Sequence, residues 1–250
     1  MKNRNKLVYD LPMRIFHWLF AGYFIFAFTI AKTADSESIT FSYHMLAGIT
    51  VGFLVILRLI WGVIGSKHSR FKSFPLQPKE LFTYLSDVRS GKEKLWSGHN
   101  PASSWAAIIM MLFALSLVGT GILMGTGFKE DFEDIHEIFA YGFLITALSH
   151  IAGVVIHSLR HKDNIALSMI DGKKLQAQEG DVIPHSNRMA GLLFLGAVFL
   201  FVIFLAKNFD TNRKILNVFG TQIELGEKEN DHAPDGAEHE SSPDDDSDED

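Results

Sequence analysis

Four histidines, His17, His44, His136 and His150, stand inside or at the edge of long apolar stretches. An ionisable side chain in such a setting is costly and marks function by default. The chain has no Cys, which excludes thiolate metal sites, iron–sulfur clusters, disulfides and covalently attached CxxCH haem. Histidine, with 11 copies, is then the soft ligand present in quantity. His136 and His150 are 14 residues apart, about 3.9 helical turns, so they share one face about 21 Å apart along the axis. His44 opens its stretch at the level of His136. His17 lies 15 residues, about 22 Å, before Lys32 at the far end of its own stretch, which matches the depth of His150. Pairs His17/His150 and His44/His136 at two depths are what two stacked haems need, each iron taking one axial imidazole from either side. Interhelical hydrogen bonding and a proton path are the other roles these four residues permit. Small residues one or two turns after each histidine (Ala21, Gly48, Gly52, Ala140) offer clearance for a flat macrocycle, and serve plain helix packing equally well. His157 shares the face of His150 but falls about 31 Å below His136, at or beyond the edge of the hydrocarbon, so His150 is the expected ligand and His157 the reserve.

The elements that must position these rings are membrane spans. Of the 250 residues 47% are hydrophobic and 12% aromatic, 21 of them Phe, against 21% charged. Mean hydropathy is +0.13. Five stretches approach or exceed the roughly 20 apolar residues that cross a bilayer: Ile15–Ala31, Phe41–Ile64, Ser103–Phe128, Ile138–Leu159 and Met189–Ala206. Arg58, near the end of the second, is expected to snorkel to the interface. A cleaved signal peptide is the rival reading of the first stretch, which is longer than a signal core and carries His17 and Trp18. Lys and Arg crowd the N-terminus and the second and fourth connections, whereas the first and third hold only Lys32 and Lys129. The positive-inside rule then puts the N-terminus in the cytoplasm and the C-terminus outside. Lys79–Ser90 has the spacing of an interfacial helix, and Asn164–Leu175 a weaker version of it. Residues 207–250 carry 4 Lys+Arg and 14 Asp+Glu, a net of −10, which leaves the rest at +4. Residues 208–250 are expected to form an acidic, largely disordered external tail.

The segment Val8-Tyr-Asp-Leu-Pro-Met-Arg-Ile-Phe-His17-Trp18 resembles the first-helix motif of bacterial cytochrome b561 proteins. So do Arg58-Leu-Ile-Trp-Gly-Val-Ile-Gly-Ser66 with His68 and Arg70-Phe71, Gly98-His-Asn-Pro101, and His136-Glu137 with His150 and Lys162-Asp-Asn164. Met169-Ile-Asp-Gly172-Lys173 extends the match over about residues 7–175. That family includes the cytochrome b subunits of nickel-iron hydrogenases and formate dehydrogenases. The resemblance implies an all-α membrane protein of the bacterial inner membrane: a four-helix di-haem bundle (1–175), a linker and fifth transmembrane helix (176–207), and the external tail (208–250). It implies two haem b groups, His17 with His150 and His44 with His136, and electron transfer between quinones and a redox partner such as a periplasmic c-type cytochrome or a dehydrogenase or hydrogenase subunit.

Arg14, one turn before His17, is a candidate for an inner haem propionate, or an ordinary positive-inside anchor. Asn100 and His99 are candidates for a quinone, although Asn-Pro also simply starts a helix. Glu130, Asp131, Glu133 and Asp134 are expected to form an acidic outer loop. The partners expected are membrane lipid, quinone and a redox protein, with no nucleic acid. A quinone-linked oxidoreductase acting directly on a small oxidant such as superoxide, or a non-haem transporter or scaffold, are the alternatives.

Overall fold

Capping side chains set where three of the long helices begin. The computed structural model describes residues 6–92, 96, 98–161, 165–174, 177, 179–218 and 220–226. Among these the order is β1 (Lys6–Leu7), α1 (Leu11–Thr33), α2 (Ile39–Ile64), α3 (Pro78–Ser90), α4 (Pro101–Gly125), α5 (Lys129–His161), α6 (Ser168–Asp171), β2 (Lys173–Lys174), α7 (Arg188–Asn208), β3 (Phe209–Asp210), β4 (Ile215–Val218) and β5 (Thr221–Glu224). Asp10 accepts the Met13 N–H at 3.1 Å ahead of α1, Ser38 the Phe41 N–H at 3.2 Å ahead of α2, and Asn100 the Ser103 N–H at 2.7 Å ahead of α4. Each satisfies a backbone donor that a helix start leaves open, and prolines stand in the first turns of α1, α3 and α4.

All five expected spans are helices long and apolar enough to cross a membrane. The chain is a multi-pass membrane protein. Large apolar side chains face outward where lipid would lie, among them Ile25, Val63, Ile145, Leu159, Leu193 and Leu200. The fourth span starts earlier than its apolar run. Its helix, α5, begins at Lys129 and runs 33 residues, about 50 Å, so it overshoots a hydrocarbon core of about 30 Å. The acidic residues Glu130, Asp131, Glu133 and Asp134, expected in a loop, form its first turns. Carboxylates there are favoured by the positive end of the helix dipole. His136 therefore sits two turns inside the helix.

The bundle is two helix pairs joined edge to edge. α1 packs on α2, α4 packs on α5, α2 links the pairs through α4, and α7 lies against α1 and α2. Close approach uses glycine: a Cβ on Gly52 would meet Val118 at 3.0 Å, and one on Gly191 would meet Leu11 at 2.6 Å. The core between the helices gathers Phe16, Phe20, Val51, Leu54, Val55, Met111, Ala114, Phe143, Phe194 and Val198.

The two ends of the bundle are closed differently. At the basic end β1 pairs antiparallel with β2. Lys67 bonds Asp181 at 2.8 Å, and the Trp18 indole N–H donates to the Met169 carbonyl at 2.9 Å. The interfacial helix α3 is present as expected. The weaker one is instead a 3₁₀ turn at Ile165–Leu167, the single turn α6 and β2, because Gly172 (φ 79°) turns the chain back under Tyr9. At the tail end, part of the expected disordered tail is folded. β3, β4 and β5 form an antiparallel sheet that buries Leu216, Ile223 and Leu225 with Leu205 against Met45, Leu46 and Ile49 of α2. Leu225 N–H donates to the Lys214 carbonyl at 2.7 Å, and Ile223 fits over Gly125, where a Cβ would sit 2.7 Å from its side chain. Apolar residues at alternating and next-nearest positions suffice for a small sheet once a helix bundle covers one face. The remaining acidic residues, 227–250, lie outside the described residues.

Candidate functional site

At the tail end, α2 and α5 bring His44 and His136 face to face, with ring centroids 6.1 Å apart and planes 70° from parallel. Both rings are oriented by their Nδ1 atoms. His44 Nδ1 lies 2.9 Å from the Ala27 carbonyl oxygen on α1, which can only accept, so Nδ1 carries the proton. His136 Nδ1 lies 2.8 Å from Thr120 Oγ1, whose own hydrogen goes to the Ser116 carbonyl at 2.8 Å, so Nδ1 donates here as well. Each neutral ring is left with an Nε2 lone pair. Anchoring the far nitrogen to a carbonyl or hydroxyl is how proteins orient a metal-binding histidine. With each Nε2 lone pair free of a hydrogen bond, the two rings could hold a metal ion or a metal-bearing prosthetic group between them. Beside His44, a Cβ at Gly48 would meet nothing within 4 Å, so the helix is bare there. Gly121 lies under His136, where an added Cβ would come 3.6 Å from the ring Cε1. Gly52, by contrast, is taken up by Val118.

At the basic end, α1 and α5 carry His17 and His150, with His150 within electrostatic reach of His17. His17 Nδ1 is buried and has no hydrogen-bond partner, and its ring meets Trp18 edge-on at 5.2 Å. His157 is half-buried two turns further along α5. Cations surround this level. Arg58 is 1% exposed, and its guanidinium stacks over Phe71 at 4.6 Å rather than snorkelling outward. The 3₁₀ turn at Phe71–Ser73 folds back over Gly62 and closes the route to the interface. Burial, with Lys174, Arg58 and His68 nearby, holds the His99 imidazole well below its usual range.

The two other sequence candidates are tied into the frame. The Arg14 guanidinium donates to the Ile170 carbonyl, to Ser186 Oγ at 3.2 Å and to the Asp10 carbonyl at 3.3 Å. Asn100 caps α4 and donates to the Tyr84 hydroxyl at 3.0 Å.

Between the two levels α1 and α5 meet through rings. Phe24 stacks on Phe143 at 3.8 Å, and Phe20 meets Phe143 at 5.6 Å. Phe143 is seven residues from both His136 and His150, about 10 Å from each along the axis. Lys32 of α1 bonds Glu137 of α5 at 3.3 Å above them.

Facing imidazoles inside a bundle of membrane-spanning helices are the build of a membrane cytochrome b. Two such imidazoles could hold a haem iron, whose remaining ligands a porphyrin would supply. The model of the prokaryotic cytochrome b561 family matches residues 8–172, and the chain belongs to that family. Among curated relatives, a probable Ni/Fe-hydrogenase B-type cytochrome subunit of Bradyrhizobium diazoefficiens is 26% identical over 67% of this chain and 85% of its own length. The subunits of the same name from Rhizobium leguminosarum bv. viciae and Cupriavidus necator are 25% and 20% identical, over 70% and 66% of this chain and 91% and 85% of theirs. No solved structure matches the chain. The protein is a membrane b-type cytochrome with haem b as its prosthetic group, and it works in electron transfer.

Proposed function

We propose that the chain holds two haem b groups, one between His44 and His136 and one between His17 and His150. Along them it passes electrons between the quinone pool and a hydrogenase-type redox subunit. The observation that carries this reading is the pair of Nδ1-anchored imidazoles on α2 and α5, with the basic-end pair one α5 repeat of 14 residues away. Bound haem iron supplies a one-electron carrier at each level. The chain fixes the axial nitrogens, packs the space between the levels with Phe24 and Phe143, and sets the charge around each site. The hydrogenase partner is the one the relatives' names point to. Lys- and Arg-rich connections support a cytoplasmic basic end and an external tail end in the inner membrane.

A quinone site fits beside Asn100 at the basic end. The Tyr84 hydroxyl accepts from Asn100 and keeps its own hydrogen to donate to a quinone oxygen. Burial raises the Tyr84 pKa, so the hydroxyl stays protonated at neutral pH.

The acidic segment favours a second partner, a basic soluble c-type cytochrome drawn in by long-range attraction. The family match ends at residue 172, so α7, the sheet and that segment are additions to the matched core.

The test is stopped-flow reduction of the purified full chain in liposomes by a short-chain quinol. Both haems reduce in the wild type, and Asn100→Leu slows the reaction at least tenfold while keeping the haem spectrum. A wild-type protein whose haem is reduced by dithionite but never by quinol would overturn the quinone assignment.

A further inference from the structure

Arg58 is a buried cation waiting for an anion. Both of its terminal guanidinium nitrogens lack a hydrogen-bond partner, and aromatic rings wall it in: Phe71 at 4.6 Å, Phe74 and Phe16 each at 5.9 Å. Asp10 is the carboxylate whose charge it feels. The two Asp10 oxygens already take the Met13 N–H and the Trp61 indole N–H, each at 3.1 Å. Asp10 offsets the charge but bonds neither terminal nitrogen, and buried donors left unmade are costly, so a side chain held like this implies an acceptor that the chain itself does not provide.

Register says where that counter-ion sits. Arg58 follows His44 on α2 by 14 residues, as His150 follows His136 on α5. It therefore shares the face of His44 and lies at the depth of the basic-end histidines. His99, whose buried Nδ1 also lacks a partner, feels the charge of both Arg58 and His150 and packs on Phe74 at 4.6 Å.

We propose that Arg58, with His99 Nδ1 as a second hydrogen-bonding group, grips a propionate carboxylate of the basic-end haem, and that Arg14 does not. The assignment rests on the di-haem reading above. A guanidinium presents two parallel N–H donors to a carboxylate and keeps its charge when desolvated, which suits a dry aromatic pocket. Arg14, by contrast, is already bonded to Ile170, Ser186 and Asp10, and so ties α1 to the segment that follows α5.

The experiment is potentiometric titration of both haems in the full-length protein, with resonance Raman of the propionate bending band, for wild type, Arg58→Gln, Arg58→Lys and Arg14→Gln. With Arg58→Gln an unneutralised carboxylate favours ferric iron. The basic-end haem becomes about tenfold harder to reduce, about 59 mV for one electron, and its propionate band shifts. The tail-end haem keeps its potential. Arg58→Lys restores most of the potential but not the band, because a point charge replaces the fork. Arg14→Gln changes neither.

An Arg58→Gln protein with both haems in place, an unmoved basic-end potential and an unmoved band would overturn the assignment and leave the di-haem reading standing. So would the same changes produced by Arg14→Gln. If Arg58→Gln does not fold, an unshifted band in Arg58→Lys overturns it in the same way. A wild-type protein with no haem at the basic end brings down both.

Discussion

The tail-end and basic-end histidine pairs are built on one helix, α5, yet their surroundings are opposites. His44 and His136 are fixed from behind by the Ala27 carbonyl and Thr120, at the end of the bundle that the small antiparallel sheet covers. His17 has a buried Nδ1 with no hydrogen-bond partner, and its pair-mate His150 bears on the buried His99, which Arg58 and Lys174 also face. One pair is thus oriented by the chain alone, whereas beside the other lie buried polar atoms, on Arg58 and His99, that the chain leaves without a partner. A haem placed near buried cations is easier to reduce than one in a neutral pocket, because ferric iron is penalised there. On the proposed di-haem reading the contrast gives the two levels different potentials, with the basic-end haem the better electron acceptor.

The largest way to break this contrast is at Thr120. Thr120→Val removes the acceptor that orients His136, and loss of such a support weakens metal retention by roughly 10–100-fold. Haem-release kinetics should show the tail-end haem leaving faster by that factor while the basic-end haem is retained. Thr120→Ser should recover most of it.

Next is Phe143, which touches Phe20 and Phe24 midway between the pairs. Phe143→Ala should destabilise the bundle by about 3 kcal/mol, read as a lower Tm with both haems affected alike. A change at one haem only would mean that Phe143 belongs to that site rather than to the space between.

The smallest effect is in pH. Burial lowers the pKa of His68, whose Nε2 donates to the Asp181 carbonyl at 2.7 Å, and of His99. Both stay neutral in the fold below the usual histidine value of about 6.5, while the unfolded chain takes up protons there. Stability at the basic end is therefore full above that pH and declines as pH falls through and below it. Hydrogen exchange at residues 66–70 and 98–101, corrected for intrinsic rates, should quicken between pH 7 and pH 5.5, and the tail-end sheet should not change.

The spans and the meeting of His44 with His136 are legible because hydrophobic runs and depth along a helix depend on local composition and helix geometry alone, whereas the ligand roles of the four histidines belong to the proposal. The start of α5 is not legible, since Glu130 to Asp134 look like solvated loop until the dipole of a continuing helix is considered. The sheet is hard to see in the sequence because Ile215–Val218 and Thr221–Glu224 are four-residue strands inside an acidic segment, and only the bundle surface beneath them makes burial of Leu216 and Ile223 worthwhile. In the sequence Arg58 has the position of a snorkelling residue, because its burial depends on Phe71 and Phe74 folding back over it. Its spacing of 14 residues from His44 was the available signal. What Arg14 and Asn100 bond to depends on partners 156 and 16 residues away, which spacing does not reveal.

The most direct test of the account is haem content per chain, by pyridine haemochrome against quantitative amino-acid analysis, for the wild type, His136→Ala and His150→Ala. The account predicts two haems b in the wild type and one in each variant, with the variants losing different members of the pair by redox potential. One haem in the wild type, or a His150→Ala protein that keeps two while His157→Ala keeps one, would contradict it.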